Sequence, residues 1–181
     1  MSENKTLFPG VKPGETFKIG GMEFIRFADT PDGTPVVLKG IAFRSGFGDS
    51  NDFRSSGILK KMQEAFLPKI IEAVGDENVC EFETNLTTLD GLKSYGTMKS
   101  RISLPTIDFY RANVETFDKH NPDTWWWLAT ADSAKPHYNP SWILCVSPSG
   151  YINLVDVFNG VNFGVRPFCI LKSSIFESCE Q

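Results

Sequence analysis

Apolar and polar positions alternate through Thr16-Phe17-Lys18-Ile19-Gly20-Gly21-Met22-Glu23-Phe24-Ile25-Arg26-Phe27, with a Gly-Gly pair in the middle. Alternation of period two puts every second side chain on one face, so the stretch predicts two short strands around a tight turn. Thr30-Pro31-Asp32-Gly33-Thr34 carries a strong turn signal, and the apolar run Val36–Phe43 predicts a buried third strand. Residues 1–13, punctuated by Pro and Gly, are expected to form an irregular lead-in. After a polar, Gly-rich loop at 44–52 the spacing turns helical. Ile58, Leu59, Met62, Phe66, Ile70, Ile71 and Val74 form one apolar stripe. Pro68 lies inside it and predicts a break or a new first turn, and Gly75 is placed to cap the end.

Asp76–Glu81 reads as a loop and Phe82–Leu86 as a short strand. Arg101-Ile102-Ser103-Leu104-Pro105 predicts a strand that leads into Thr106, a good helix N-cap. Ile107, Tyr110, Val114 and Phe117 then mark a second helix ending near His120. The last third is β in character. Thr124–Thr130 predicts a strand, Trp142–Val146 and Tyr151–Val155 flank the turn Ser147-Pro148-Ser149-Gly150, and Gly164–Leu171 predicts a final strand. No repeat, low-complexity tract or linker interrupts the series. The expectation is one α+β domain over residues 14–172, with mixed or antiparallel strands and two main helices, followed by a C-terminal tail at 173–181.

Length and composition narrow the classes. A chain of 181 residues that is 41% hydrophobic and 22% charged suits one packed domain of ordinary size. Lys+Arg total 18 against Asp+Glu 22, a net charge of −4, whereas wrapping nucleic acid calls for a basic face. A mildly acidic chain suits docking on a basic protein surface instead. The N-terminus lacks the apolar run of a signal peptide, and no stretch has the ~18 apolar residues of a membrane span. Cys80, Cys145, Cys169 and Cys179 are far apart, without the tight spacing of zinc sites or disulfide frameworks. A cytoplasmic protein with reduced thiols is therefore expected, and neither metal nor cofactor.

Three tryptophans in a row, Trp125-Trp126-Trp127, cannot face one way on a strand: Trp125 and Trp127 share one side and Trp126 takes the other. Downstream, Gly164 offers backbone freedom, Arg166 brings five donors able to tie down loop carbonyls, and Pro167 favours a strand edge or bulge. Trp126, Trp127, Gly164, Arg166 and Pro167 are thus expected to staple the fold.

Trp126-Trp127-Leu128, a hairpin with polar tips, and Gly164-Val165-Arg166-Pro167 together resemble a bacterial and phage domain family of unassigned function. Its members carry a Trp-Trp-Leu-Arg-Ser-Pro block and close on Ala/Gly-Val-Arg-Pro-Ala-Leu. The opening Gly-x-x-Phe-x-Ile-Gly-Gly-x-x-Phe (Gly14 to Phe24) and the helix Leu59–Leu67 also fit, so the likeness spans residues 14–171. That family is similar in turn to C-type-lectin-like folds, including formylglycine-generating enzymes and the variable proteins of diversity-generating retroelements. The resemblance implies a C-type-lectin-like arrangement. Where the family has Arg-Ser-Pro this chain has Ala129-Thr130-Ala131, so a role resting on that Arg is not carried over.

Catalytic signals are weak. His120 and His137 are the only histidines, and no nucleophile elbow, phosphate loop or dinucleotide fingerprint accompanies them. A Cys145–His137 pair can be drawn, but isolated cysteines are usually inert. Asn121-Pro122-Asp123 and Asn139-Pro140-Ser141 are faintly similar to the sugar-binding loops of lectins. Recognition has the better candidates: His137, Tyr138, Asn139, Trp142, Tyr151, Asn153, Asp156, Phe158, Asn159 and Asn162 fall in the stretch that relatives of the resembling fold use for ligands or partners. These observations predict a non-catalytic protein-binding module. Because relatives occur in phages and mobile elements, its concrete form would be an inhibitor that masks a host defence protein. An anti-CRISPR acting on a basic, RNA-guided nuclease is the example. The alternative is a lectin-like glycan- or ligand-binding module of a phage or bacterial surface.

Overall fold

A computed structural model describes residues 6–137 and 141–178. The opening alternation forms β1 (Thr16–Ile19) and β2 (Met22–Arg26), and the run after the Thr30–Thr34 turn gives β3 (Thr34–Leu38). The predicted third strand does not reach Phe43 unbroken. The chain turns at Lys39-Gly40, and Phe43–Ser45 forms β4 in another sheet. The last predicted strand divides in the same way, into β10 (Phe163–Val165) and β11 (Phe168–Leu171). One four-stranded sheet runs β1-β2-β3-β11. The other contains β4 and β10 together with β7 (Trp126–Ala131), β8 (Trp142–Val146) and β9 (Ile152–Asp156), in the order β4-β10-β7-β8-β9. All pairings are antiparallel except that of β10 with β7. A two-stranded ribbon joins β5 (Phe82–Asn85) to β6 (Thr97–Ser100). The strand expected at 101–105 is reduced to a single bridge between Ser103 and Phe168.

The apolar stripe folds as one helical run with a widened turn, α1 (Gly57–Lys61), a π-turn at Met62–Phe66 and α2 (Leu67–Val74). Pro68 explains the turn: it offers no N–H to the carbonyl of Glu64, and Leu67 donates five residues back to Met62. Ser56 caps the start through the N–H of Leu59. Gly75 ends the run at φ 92°, its N–H on the carbonyl of Ile71. The second predicted helix is also divided, at Asn113, into α3 (Ile107–Ala112) and α4 (Val114–Lys119).

Alternation along the strands sorts the core into two layers. Val36 and Leu38 of β3, Trp127 and Ala129 of β7, and Ile143 and Cys145 of β8 pack with the α1–α2 stripe. Val37, Trp126, Leu128, Leu144 and Val146 pack on the other side with Ile107, Tyr110 and Phe117 of α3 and α4. The two central tryptophans thus feed opposite layers, as period two requires. The stretch after residue 172 does not simply trail away as a tail. Ser173–Phe176 makes a 3₁₀ turn whose Ile175 and Phe176 are buried, and the carbonyl of Ile175 takes the N–H groups of Leu7 and Phe8. Among the described residues no helix is long and apolar enough to cross a membrane.

Candidate functional site

The Gly-Val-Arg-Pro segment is where the chain passes from one sheet to the other. Arg166 is fully buried, and its guanidinium donates to the carbonyls of Leu38 (3.0 Å), Lys39 (3.1 Å) and His120 (3.3 Å). It lies over the Trp126 ring at 4.5 Å. Burial pushes its pKa down to about 9, still above neutrality, so the cation persists inside the protein. Pro167 gives up no ladder bond at this crossover, and its carbonyl accepts from Leu38. Gly164 needs correction. Its backbone is extended within β10, and the space beside it, not a left-handed φ, demands glycine: an added Cβ would lie 2.5 Å from Cδ1 of Ile41. Both tryptophan rings are anchored as well, Trp126 on the side-chain carbonyl of Asn121 and Trp127 on the carbonyl of Ser45.

The recognition residues occupy the β8–β9 hairpin and the turn beyond it. Trp142 opens β8 and stands directly opposite Asp156, the last residue of β9. Asp156 caps the next 3₁₀ turn by accepting the N–H of Phe158, which leaves the Phe158 ring 69% exposed. Trp142 is 37% exposed, and Asn159 and Asn162 are also at the surface. Tyr151 is 56% exposed but sits at the other end of the hairpin, edge-on to Trp125. At about 3.3 Å per residue, the length of β9 separates the two ends by roughly 13 Å. Asn153 shares a face with Val155 while Asp156 shares one with Leu154, so β9 sends the two predicted side chains to opposite sides. The predicted set is therefore divided. Trp142 on β8, Asp156 at the end of β9 and Phe158 in the turn beyond form the compact part, beside the edge that the sheet order gives to β9. Tyr138 and Asn139 lie outside the described residues.

A polar network that the sequence does not announce supports this end. The buried Asn51 amide donates to the carbonyls of Ser133 (3.0 Å) and Trp142 (2.8 Å), and Tyr95 donates to its oxygen. Nearby, the Asp90 carboxylate accepts from Ser133 (2.6 Å), His137 Nδ1 (2.9 Å) and Thr88, which hold it well below the usual carboxylate range. The Ser-His-Asp composition does not make a triad. The Ser133 hydroxyl donates its hydrogen bond to the carboxylate and not to the imidazole, and Ser133 is buried. Cys145 is not activated either. Its thiol points at the carbonyl of Asn153, and burial pushes its pKa up to about 12. The Asn121 side chain spends both its ends on Ser147, Pro148 and Trp126, so it holds a hairpin instead of presenting an oxygen to a cation. Cys80, Cys145 and Cys169 are free thiols, and no cluster of three His, Cys, Asp or Glu side chains suited to a metal occurs among the described residues.

Comparison of the chain with protein-family models, with curated proteins and with solved structures gives no match.

Proposed function

We propose that the chain is a non-catalytic protein-binding module that docks through the outer edge of β9, with Trp142 and Phe158 as anchors. One observation carries the reading. Among the described residues, three of the five large apolar side chains left exposed, Trp142, Tyr151 and Phe158, fall in the β8–β9 hairpin and its following turn. An edge strand offers unpaired backbone groups to a partner, and neighbouring aromatic rings supply desolvated contact area. Asp156 stands across from Trp142, and the N–H of Asp132 donates to the carbonyl of Trp142, so two carboxylate-bearing residues flank that anchor. That local charge and the net −4 favour a partner with a basic surface.

The C-type-lectin-like arrangement implied by the sequence resemblance belongs to the same proposal. It is supported by β1 and β11, from opposite ends of the described chain, sharing one sheet. The concrete form put to the test is an inhibitor that masks a basic, RNA-guided host nuclease. Purified chain is mixed with purified nuclease, and both complex formation and DNA cleavage are followed, beside the W142A/F158A variant. A complex that suppresses cleavage and weakens by about tenfold or more in the variant is the expected result. A complex indifferent to both substitutions overturns the docking edge, and no complex at all overturns the nuclease as partner.

A further inference from the structure

We propose that a second site, remote in sequence from the β8–β9 hairpin, binds a small anion carried on an apolar body. A cavity of about 650 Å³ opens between the β2–β3 end of the first sheet, the π-turn and start of α2, and the C-terminal end of α4. Volumes of several hundred Å³ are those of ligand pockets. Its floor is apolar: Met22, Leu38, Ile41, Ala42 and Phe66. Its charged residues are mostly of one sign, with Lys39, Lys69 and Lys119 against Glu23 alone. Glu23 is already paired with Lys39 at 3.3 Å, whereas Lys69 and Lys119 make no ion pair among the described residues. A chain of net charge −4 thus gathers uncompensated positive charge around one apolar hollow.

The buried Arg166 points the same way. Its hydrogen-bond acceptors are the carbonyls of Leu38, Lys39 and His120, all three of them residues that line the cavity. Those are neutral oxygens, and one terminal nitrogen of the guanidinium, Nη1, has no hydrogen-bond partner among the described residues. A desolvated cation without a counter-ion is costly, and an anion in the adjoining cavity would compensate it. By taking the carbonyl of His120, Arg166 also neutralises the C-terminal end of α4, which would otherwise repel an anion there. Lysine ammonium groups accept phosphate and carboxylate alike as point charges, so the head group is either of these, and the floor selects for a ring or short alkyl chain behind it.

The test titrates the intact chain with phenyl phosphate, hexanoate and inorganic phosphate at low salt, following amide chemical shifts and binding heat. Phenyl phosphate, hexanoate or both should bind with Kd of about 1 mM or tighter, shifting the amides of Lys39–Ala42 and Lys119–Asn121. Binding by one alone assigns the head group. K69Q/K119Q, on exposed side chains, should weaken binding by about tenfold or more. G40L, where a Cβ meets nothing within 4 Å, should block the opening without disturbing the fold. The W142A/F158A variant should bind these probes unchanged, so this site and the proposed docking edge fail independently. Three results would overturn the proposal: neither amphipathic probe shifts those amides, K69Q/K119Q binds as the parent does, or inorganic phosphate binds as tightly as phenyl phosphate.

Discussion

Gly164→Ala tests whether the crossover strand is fixed by space or by backbone conformation. The new Cβ would meet three atoms of one side chain, Ile41 Cδ1 at 2.5 Å, Cγ1 at 3.1 Å and Cγ2 at 3.2 Å. Gly164 also pairs on both sides, with Arg44 of β4 and Trp126 of β7, and donates to the carbonyl of Trp125, so β10 cannot move away to make room. Overpacking of this kind costs about 1–3 kcal/mol. In a chain of this size each kcal/mol lowers Tm by roughly 2–4 °C. Ile41→Val removes Cδ1, the atom in closest conflict, and by itself costs about 0.5–1.5 kcal/mol. The double variant I41V/G164A should then be more stable than the sum of the single losses requires, by about 1 kcal/mol, because the first substitution relieves the second. Denaturant unfolding of the four proteins, with a common slope, measures the coupling. Additivity within about 0.5 kcal/mol would refute the steric account, as would a G164A protein as stable as the parent.

Arg166→Met keeps much of the side-chain volume but strips donors from the carbonyls of Leu38, Lys39 and His120. Each orphaned acceptor costs about 1–3 kcal/mol, partly offset by removing a desolvated cation, so a net loss of about 2–4 kcal/mol is expected by denaturant titration. Asp90 has its pKa depressed below its ordinary 3.8 by bonds from Ser133, Thr88 and His137. Its stabilising share is therefore complete above that value and lost as pH falls below it, toward the folded-state pKa. Between pH 5 and 2 the parent should lose more thermal stability than Asp90→Asn, and parallel curves would contradict the assigned bonds. Cys145 and Cys169 are buried with thiols pushed up to about 12, so alkylation at pH 8 followed by peptide mapping should find both unmodified until denaturant is added. Rapid labelling of either in the native protein would refute that packing.

What the sequence makes legible is whatever local spacing decides. The paired strands at Thr16–Arg26, the Pro68 irregularity, the Thr106 cap and the opposite facing of Trp126 and Trp127 all follow from rules that act within a few residues. The two long apolar runs at 36–43 and 164–171 misled because a strand that leaves one sheet for another keeps its hydrophobic character throughout. Only Gly40 and Pro167 mark the exits. The exposed aromatic anchors could be named as residue types, but their grouping depends on β8–β9 register, which separates Tyr151 and Asn153 from Trp142 and Phe158. Asn51 and Asp90 gave no signal, since their partners lie 82 and 43 residues away for the bonds involving Ser133. Lys39, Lys69 and Lys119 are equally dispersed and meet only through topology.

The crossover at Arg166-Pro167 has a consequence for biosynthesis. β3 is made early but is completed on its outer side only by β11, and β7 receives its inner neighbour only when β10 arrives. On a ribosome that elongates at about 5–20 residues per second, both half-built layers wait several seconds with a bare flank. A single late segment then closes them together, so any stall before residue 163 leaves a nascent chain whose two halves are each open to the wrong neighbour.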